Sequence, residues 1–266
     1  MDKSDFDTIL YERCEQVAWV TFNRPKVHNA FNKKQIEELT EVFQRVKDDK
    51  AIKIVVLTGK GKSFCAGADL NWLREIVGYS FKQNLEESMA LADVLHLLYE
   101  LPKPTIAMVN GTAIGGGTGF LSACDIAVAS EEAIFGLSEV KIGLVPAAIS
   151  PYVIRKIGES KAREYFLTGK RILARKAQEI GLVNEVVPLK KLKESVDLLI
   201  KSLLTSGPEA MASCKELISR TSHARIKDVK EFTANMIAAL RVSEEGQEGM
   251  ASFLEKRKPN WIKNKE

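Results

Sequence analysis

The sequence predicts an α/β core followed by a helical module, and three observations carry that prediction. Short β-branched apolar runs alternate with amphipathic helical stretches as far as Pro151. Each apolar run is closed by glycine or proline, as a buried strand requires. Beyond Pro151 helical periodicity follows helical periodicity with one strand between. At 266 residues the chain can bury a sizeable core as one large domain or two small ones. The expected division is a core over residues 1–200 and a helical module over 201–266.

The elements follow in order. Val17–Phe22, rich in β-branched and aromatic residues, reads as a strand broken by Asn23-Arg24-Pro25. From Lys33 to Val46, Ile36, Leu39, Phe43 and Val46 recur at three- and four-residue steps, the stripe of an amphipathic helix. Ile52–Leu57 is a buried strand, and Asp69 is placed to N-cap a helix starting at Leu70. Leu85–Leu101 is helical in period and ends at Pro102 and Pro104. Thr105–Val109 and Asp125–Ala129 are strands flanking a Gly-rich segment, Gly111–Gly119, that runs into an apolar stretch through Ala123. This alternation points to parallel strands with helical crossovers. After Pro151 come helices over 152–157, 161–168, 174–180, 192–204, 208–220 and 229–241, interrupted by a strand over 182–187.

Composition excludes several function classes. A net charge of +4, without an aromatic–basic cluster, gives no nucleic-acid footprint, although it suits an anionic small molecule if basic residues converge. Met1–Asp7 is polar and acidic, unlike a signal or transit peptide, and no apolar stretch reaches the ~20 residues of a membrane span. Cys14, Cys65, Cys124 and Cys214 lie far apart, which argues against zinc or a disulfide framework and fits a reducing cytoplasm. His28, His96 and His223 are scattered too, so no metal site is expected; His96 reads as packed and His223 as solvated.

Three segments carry candidate chemistry. Ser63-Phe-Cys-Ala-Gly-Ala-Asp-Leu70 and Asn110-Gly-Thr-Ala-Ile-Gly-Gly-Gly-Thr-Gly-Phe120 each follow a strand and enter a helix. Backbone N–H groups at such places lack intrahelical partners and can point at an anion. Two of them on one carbonyl oxygen make an oxyanion hole. A dinucleotide fingerprint fails because its third glycine would fall on Phe120, and a P-loop lacks its Gly-Lys-Ser/Thr end. A Gly-rich packing turn remains an equal alternative for Gly115–Gly117 taken alone. The third segment is Phe135–Pro146, with Glu139 in a mostly apolar stretch. That carboxylate is either a solvated loop residue or a general acid/base tuned by its surroundings, and the pattern leaves both open.

Taken together and in register, these segments resemble the enoyl-CoA hydratase/isomerase (crotonase) family over nearly the whole chain, from Asn23-Arg-Pro-Lys-Val-His-Asn-Ala30 to Phe253-Leu-Glu-Lys-Arg-Lys-Pro259. Phe64-Cys-Ala-Gly-Ala-Asp69, Lys103-Pro-Thr-Ile-Ala107, Gly115-Gly-Gly117, Cys124-Asp-Ile126 and Thr168-Gly-Lys-Arg171 carry the likeness. The resemblance implies a spiral of β-β-α units with a C-terminal helical trimerisation module, assembling as trimers and as a dimer of trimers. It implies an acyl-CoA thioester substrate and no cofactor apart from the coenzyme A of that substrate. By the same resemblance, the N–H groups of Ala66 and Gly116 form the oxyanion hole. Lys26, His28 and Ala30, with Ala66, Gly67, Ala68, Asp69 and Leu70, hold the CoA part. Phe253 and Lys256 match tail positions that reach a neighbouring subunit's nucleotide, and Lys256, Arg257 and Lys258 suit CoA phosphates, or else form a solvated basic helix end.

The chain departs from the family at one position. Hydratases carry two glutamates; one matches Glu139 and the other falls on Gly119. A single carboxylate at the Glu139 position resembles the isomerases of the family instead. Against that, Pro146-Ala-Ala-Ile-Ser-Pro-Tyr-Val-Ile154, in place of a Gly-rich stretch, together with Gly119-Phe-Leu121 and Met211-Ala-Ser-Cys-Lys215, resembles methylglutaconyl-CoA and isohexenylglutaconyl-CoA hydratases of leucine and acyclic terpene breakdown. The expectation is therefore hydration of a branched 2-enoyl-CoA with Glu139 as general acid/base. Double-bond isomerisation is the alternative, and a non-catalytic thioester- or RNA-binding protein a second one, since some of those hydratases also bind RNA.

Overall fold

The structure, a computed structural model, describes residues 3–4, 6–222 and 224–262. His223 lies outside the described residues. Strands β1 (Lys3–Ser4), β2 (Ile9–Cys14) and β3 (Val17–Phe22) form an antiparallel meander. Helix α1 (Lys33–Asp48) follows, with Asn32 capping its start through Gln35 N–H. Its buried Ile36, Leu39, Phe43 and Val46 are the stripe read from the sequence.

A repeated unit then begins. Strand β4 (Ile54–Gly59) joins the first sheet, β5 (Ser63–Cys65) starts a second, and helices α2 (Leu70–Ile76) and α3 (Phe81–Tyr99) cross over. Strands β6 (Thr105–Val109) and β7 (Thr112–Ile114) divide between the two sheets in the same way before α4 (Gly116–Ala123). So do β8 (Ile126–Ser130) and β9 (Ile134–Gly136) before α5 (Ser150–Thr168). Strand β10 (Arg171–Leu173), α6 (Ala174–Glu179) and β11 (Glu185–Val187) complete both sheets. The larger runs β1-β2-β3-β4-β6-β8-β11 and is parallel from β3 onward; the smaller runs β10-β9-β7-β5. Because each β-β-α unit steps one strand along in both sheets, the chain winds as a spiral, and every second strand delivers its end to the same edge.

The chain divides into two compact units, one running to Leu101 and from Thr105 to Asp197, the other made of Pro102–Pro104 and the chain from Leu198 onward. After α7 (Leu189–Leu203), the second unit contains α8 (Pro208–Thr221), α9 (Ile226–Val242) and α10 (Glu244–Leu254), which pack on one another. Glu245 of α10 accepts the N–H groups of Glu209 and Ala210 at 2.9 Å, so it caps α8 from outside. Among the described residues no helix is long and apolar enough to cross a membrane.

One detail differs from the sequence expectations. His96 is exposed rather than packed, because Val94, Leu95 and Leu98 turn to the core and leave position 96 on the opposite face of α3. The segments 152–157 and 161–168 are two helical stretches of α5, as the sequence pattern has them, separated at Gly158, whose φ of 72° breaks the helical path.

Candidate active site

The site grows from the loop after β3. Arg24 reaches back from the strand end: one guanidinium nitrogen donates to the Ala30 carbonyl and Nη2 meets Asp69 Oδ2 at 2.6 Å. Asp69 also caps α2 by accepting Asn71 N–H at 2.7 Å. Burial alone would push its carboxyl up, but the Asn71 N–H and the Arg24 guanidinium outweigh that and hold it below its ordinary value. The Asp69 carboxylate is thus turned into the protein, and its work is to fix the segment 66–69. His28 sits in the same loop with φ 53°, its ring Nδ1 3.1 Å from Ser63 Oγ. Lys26 and His28 are exposed beside that segment, and Ala30 is buried beneath it.

Phe31 ties the two glycine segments together. Its N–H donates to Gly67 O and its carbonyl accepts Asp69 N–H, both at 2.8 Å, which lays the chain 67–69 alongside it. Its ring covers Gly116: a Cβ there would lie 2.7 Å from Phe31 Cζ. The ring in turn packs on Trp72 and Phe120, with centroids 5.7 and 5.9 Å away. At Gly117 a Cβ would lie 2.9 Å from the Cys65 carbonyl carbon, so only glycine lets the start of α4 approach β5 this closely. Gly115 turns the chain into α4 at φ 53° and anchors it by donating to Gly136 O at 2.8 Å. Seven residues of α4 are buried, and its hydroxyls bond to carbonyls: Thr118 Oγ1 to Ala113 O at 2.8 Å, Ser122 Oγ to Thr118 O at 2.7 Å.

This geometry corrects one expected donor. Ala66 N–H donates to His28 O at 3.0 Å and is therefore engaged within the protein. The N–H groups of Ala68 and Gly116, in contrast, have no acceptor among the described residues. Between Ala66 and Ala68 stands Gly67, whose φ of 95° is a backbone conformation that favours glycine. Cys65, next in line, offers no nucleophile: burial pushes its thiol up to about 12.

Glu139 opens a short 3₁₀ turn over Glu139–Ile142, closed by Gly143. Its carboxylate stands against Gly115, with Oε1 3.0 Å from the place a Cβ would occupy. Oε2 is buried without a hydrogen-bond partner among the described residues. Burial raises the carboxyl above its ordinary value, opposed only by its own backbone N–H. The residue as a whole is half-buried, with one carboxylate oxygen out of solvent. One turn further along α4 is Gly119, where the resemblance places a second glutamate. A Cβ there would run into Ile149 Cγ2 and lie 2.8 Å from Ile149 Cβ, so the space is filled by an apolar side chain.

The remaining expected residues lie apart. Leu70 is exposed at the start of α2. Phe253, 82% exposed, and Lys256 belong to the second unit. Of the basic tail, Arg257 is not available to a phosphate, since it makes a two-pronged 2.7 Å pair with Glu248 and bonds Glu255. The sequence reading passed over Arg24, Phe31 and Ile149. Arg24 was visible as a basic residue at a strand end within a motif. Phe31 carries no signal beyond that of an ordinary core residue, and Ile149 none beyond its place in the Pro146–Ile154 stretch.

Comparison with known proteins agrees with this geometry. The chain matches the enoyl-CoA hydratase/isomerase family over residues 12–264. An enoyl-CoA hydratase from Shewanella pealeana is 40% identical and superposes with a TM-score of 0.94 over 96% of both chains. Pseudomonas aeruginosa AtuE is 31% identical, with a TM-score of 0.93 over 97% of this chain and all of its own. A candidate enoyl-CoA hydratase from Thermus thermophilus is 36% identical over 245 residues, 92% of this chain and 97% of its own.

Proposed function

The chain belongs to the enoyl-CoA hydratase/isomerase family, with the crotonase fold, and on that premise we propose that it hydrates a branched 2-enoyl-CoA, with 3-methylglutaconyl-CoA the first candidate. The observation that carries this reading is Glu139: a carboxylate with one buried, unpartnered oxygen that stands against Gly115, next to Gly116, whose N–H has no acceptor among the described residues. In this reading the thioester carbonyl accepts the N–H groups of Ala68 and Gly116. As water adds to the β-carbon, negative charge develops on that oxygen as an enolate, and two fixed donors in a dry site stabilise it; losing one costs roughly 10²–10³ in rate. Glu139 handles the proton exchanged between water and the α-carbon, a contribution of about 10²–10⁴. Its raised pKa suits the task, because a carboxyl moved toward neutrality both accepts and returns a proton. Lys26 and His28, exposed on the loop after β3, are the candidates to meet the CoA phosphates and adenine.

Isomerisation is the second reading, and Ile149 favours it: with the position of a second carboxylate filled, one carboxylate is what a proton shuttle between two carbons needs. The two reactions separate by mass spectrometry. A 2-enoyl-CoA that gains about 18 mass units (one water) supports hydration, and a 3-enoyl-CoA converted without mass change overturns it in favour of isomerisation.

The proposal extends to assembly. Ile226, Val242, Phe253 and Leu254 project from the helices of the second unit with large exposed apolar surfaces, consistent with a module buried between copies of the chain as a trimer or a dimer of trimers.

A further inference from the structure

The two departures from the family pattern, Gly119 and the Pro146–Ile154 stretch, meet in space. Ile149 is the N-cap residue of α5 and is almost completely buried. Its Cγ2 methyl stands where the Cβ of any residue at 119 would go. Gly119 N–H donates to Gly115 O at 3.0 Å, so the two glycines are successive turns of one helix start, about 6 Å apart along its axis. Glu139 covers the first of them and Ile149 the second. The same face of α4 thus carries the half-buried Glu139 carboxylate at one level and a branched aliphatic wall at the next. The wall is held rigidly: Ser150 Oγ donates to Ala147 O at 2.8 Å, and Tyr152 and Val153 N–H both donate to Ile149 O at 3.2 Å.

We propose that Ile149 is a specificity-determining residue, whose side chain replaces that of residue 119 and sets the width of the acyl pocket one helical turn beyond Glu139. This rests on the reading of the site as an acyl-CoA site and deepens it. The substrate class that follows is a 2-enoyl-CoA whose substituent is apolar and compact on the side facing α4. A bulkier substituent there meets the Ile149 methyl, just as a residue-119 side chain does. Gly119 and Ile149 form one unit, since neither can enlarge unless the other shrinks.

The test has two arms. The first reads the contact by thermal unfolding of Gly119→Ala, Ile149→Gly and the double variant. Gly119→Ala alone is expected to lower Tm strongly, and the double variant to unfold well above the sum of the two losses, because removing Ile149 Cβ leaves the nearest atom 3.8 Å away. The second reads the pocket by calorimetric binding of butanoyl-CoA and 3,3-dimethylbutanoyl-CoA, which involves no turnover. Ile149→Ala is expected to shift the ratio of the two Kd values at least tenfold toward the bulkier thioester. Ile149→Leu, which keeps the core volume but removes the methyl from Cβ, is expected to shift it in the same direction. Unchanged binding ratios in both variants would overturn the inference while leaving the acyl-CoA reading intact. An undiminished Tm for Gly119→Ala would overturn it as well. Failure of the wild-type protein to bind either thioester would instead bring down the underlying functional reading, and the inference with it.

Discussion

Replacing Asp69 by alanine should both weaken the fold and slow turnover. Two losses combine. The first is the N-cap of α2, where Asp69 Oδ1 accepts Asn71 N–H at 2.7 Å, worth about 1 kcal/mol. The second is the partner of Arg24. Breaking a fully buried ion pair costs roughly 3–5 kcal/mol. Here the Asp69 side chain is 6% exposed and that of Arg24 20%, and Arg24 keeps its bond to the Ala30 carbonyl. Solvent screening then brings that cost to about 2 kcal/mol. The total is about 3 kcal/mol, read as a lower urea midpoint with an unchanged m-value. The pair also holds the strip 67–69 against Phe31, so loosening it displaces the Ala68 amide. The expected kcat loss approaches the roughly 10²-fold of one missing oxyanion donor. Asp69→Asn keeps a capping oxygen and should lose about half the stability. A stability loss below about 1 kcal/mol in Asp69→Ala, or an unchanged kcat, would refute the assignment of Asp69 as the clamp on this loop.

Further expectations follow from other contacts. Gly117→Ala forces a methyl against the Cys65 carbonyl, so it should cost at least about 3 kcal/mol or prevent folding, seen as loss of soluble protein or a large fall in Tm. The carboxyl of Glu139 is raised by burial, so its folded-state contribution is favourable below its unfolded pKa and is lost as pH rises through the folded one. Glu139→Gln should accordingly be as stable as wild type in acid and more stable at neutral pH, by urea unfolding across pH. Asp69 has the opposite sign: its depressed carboxyl stabilises above its unfolded pKa, and that part is lost as pH falls through the folded value. Lys256→Ala should raise the KM of a CoA thioester more than that of its pantetheine analogue if the tail meets the nucleotide, whereas Arg257→Ala, already paired with Glu248, should change neither selectively.

Much of this was legible in the sequence because local signals coincide with global ones. The stripe Ile36–Val46, the cap at Asp69 and the strand Val17–Phe22 lie where the residue pattern puts them. The short strands β5, β7 and β9, three residues each, were not legible, since so few residues show no period and their pairing is set by partners far along the chain. The glycine segments could be read as donor-bearing turns, but not which amide is free. That depends on His28 O as the acceptor of Ala66 N–H, which the sequence does not show. Glu139 could be singled out but not placed, because burial of its second oxygen is a tertiary property. The Gly119–Ile149 contact joins residues thirty positions apart and leaves no trace in spacing or periodicity.

The most direct test is the turnover of Glu139→Gln on a 2-enoyl-CoA that the wild-type protein hydrates, with folding verified by circular dichroism and thioester binding by calorimetry. If Glu139 handles the proton, binding stays within a few-fold of wild type and kcat falls by about 10²–10⁴. Hydration within a few-fold of wild type would contradict the role given to that carboxylate.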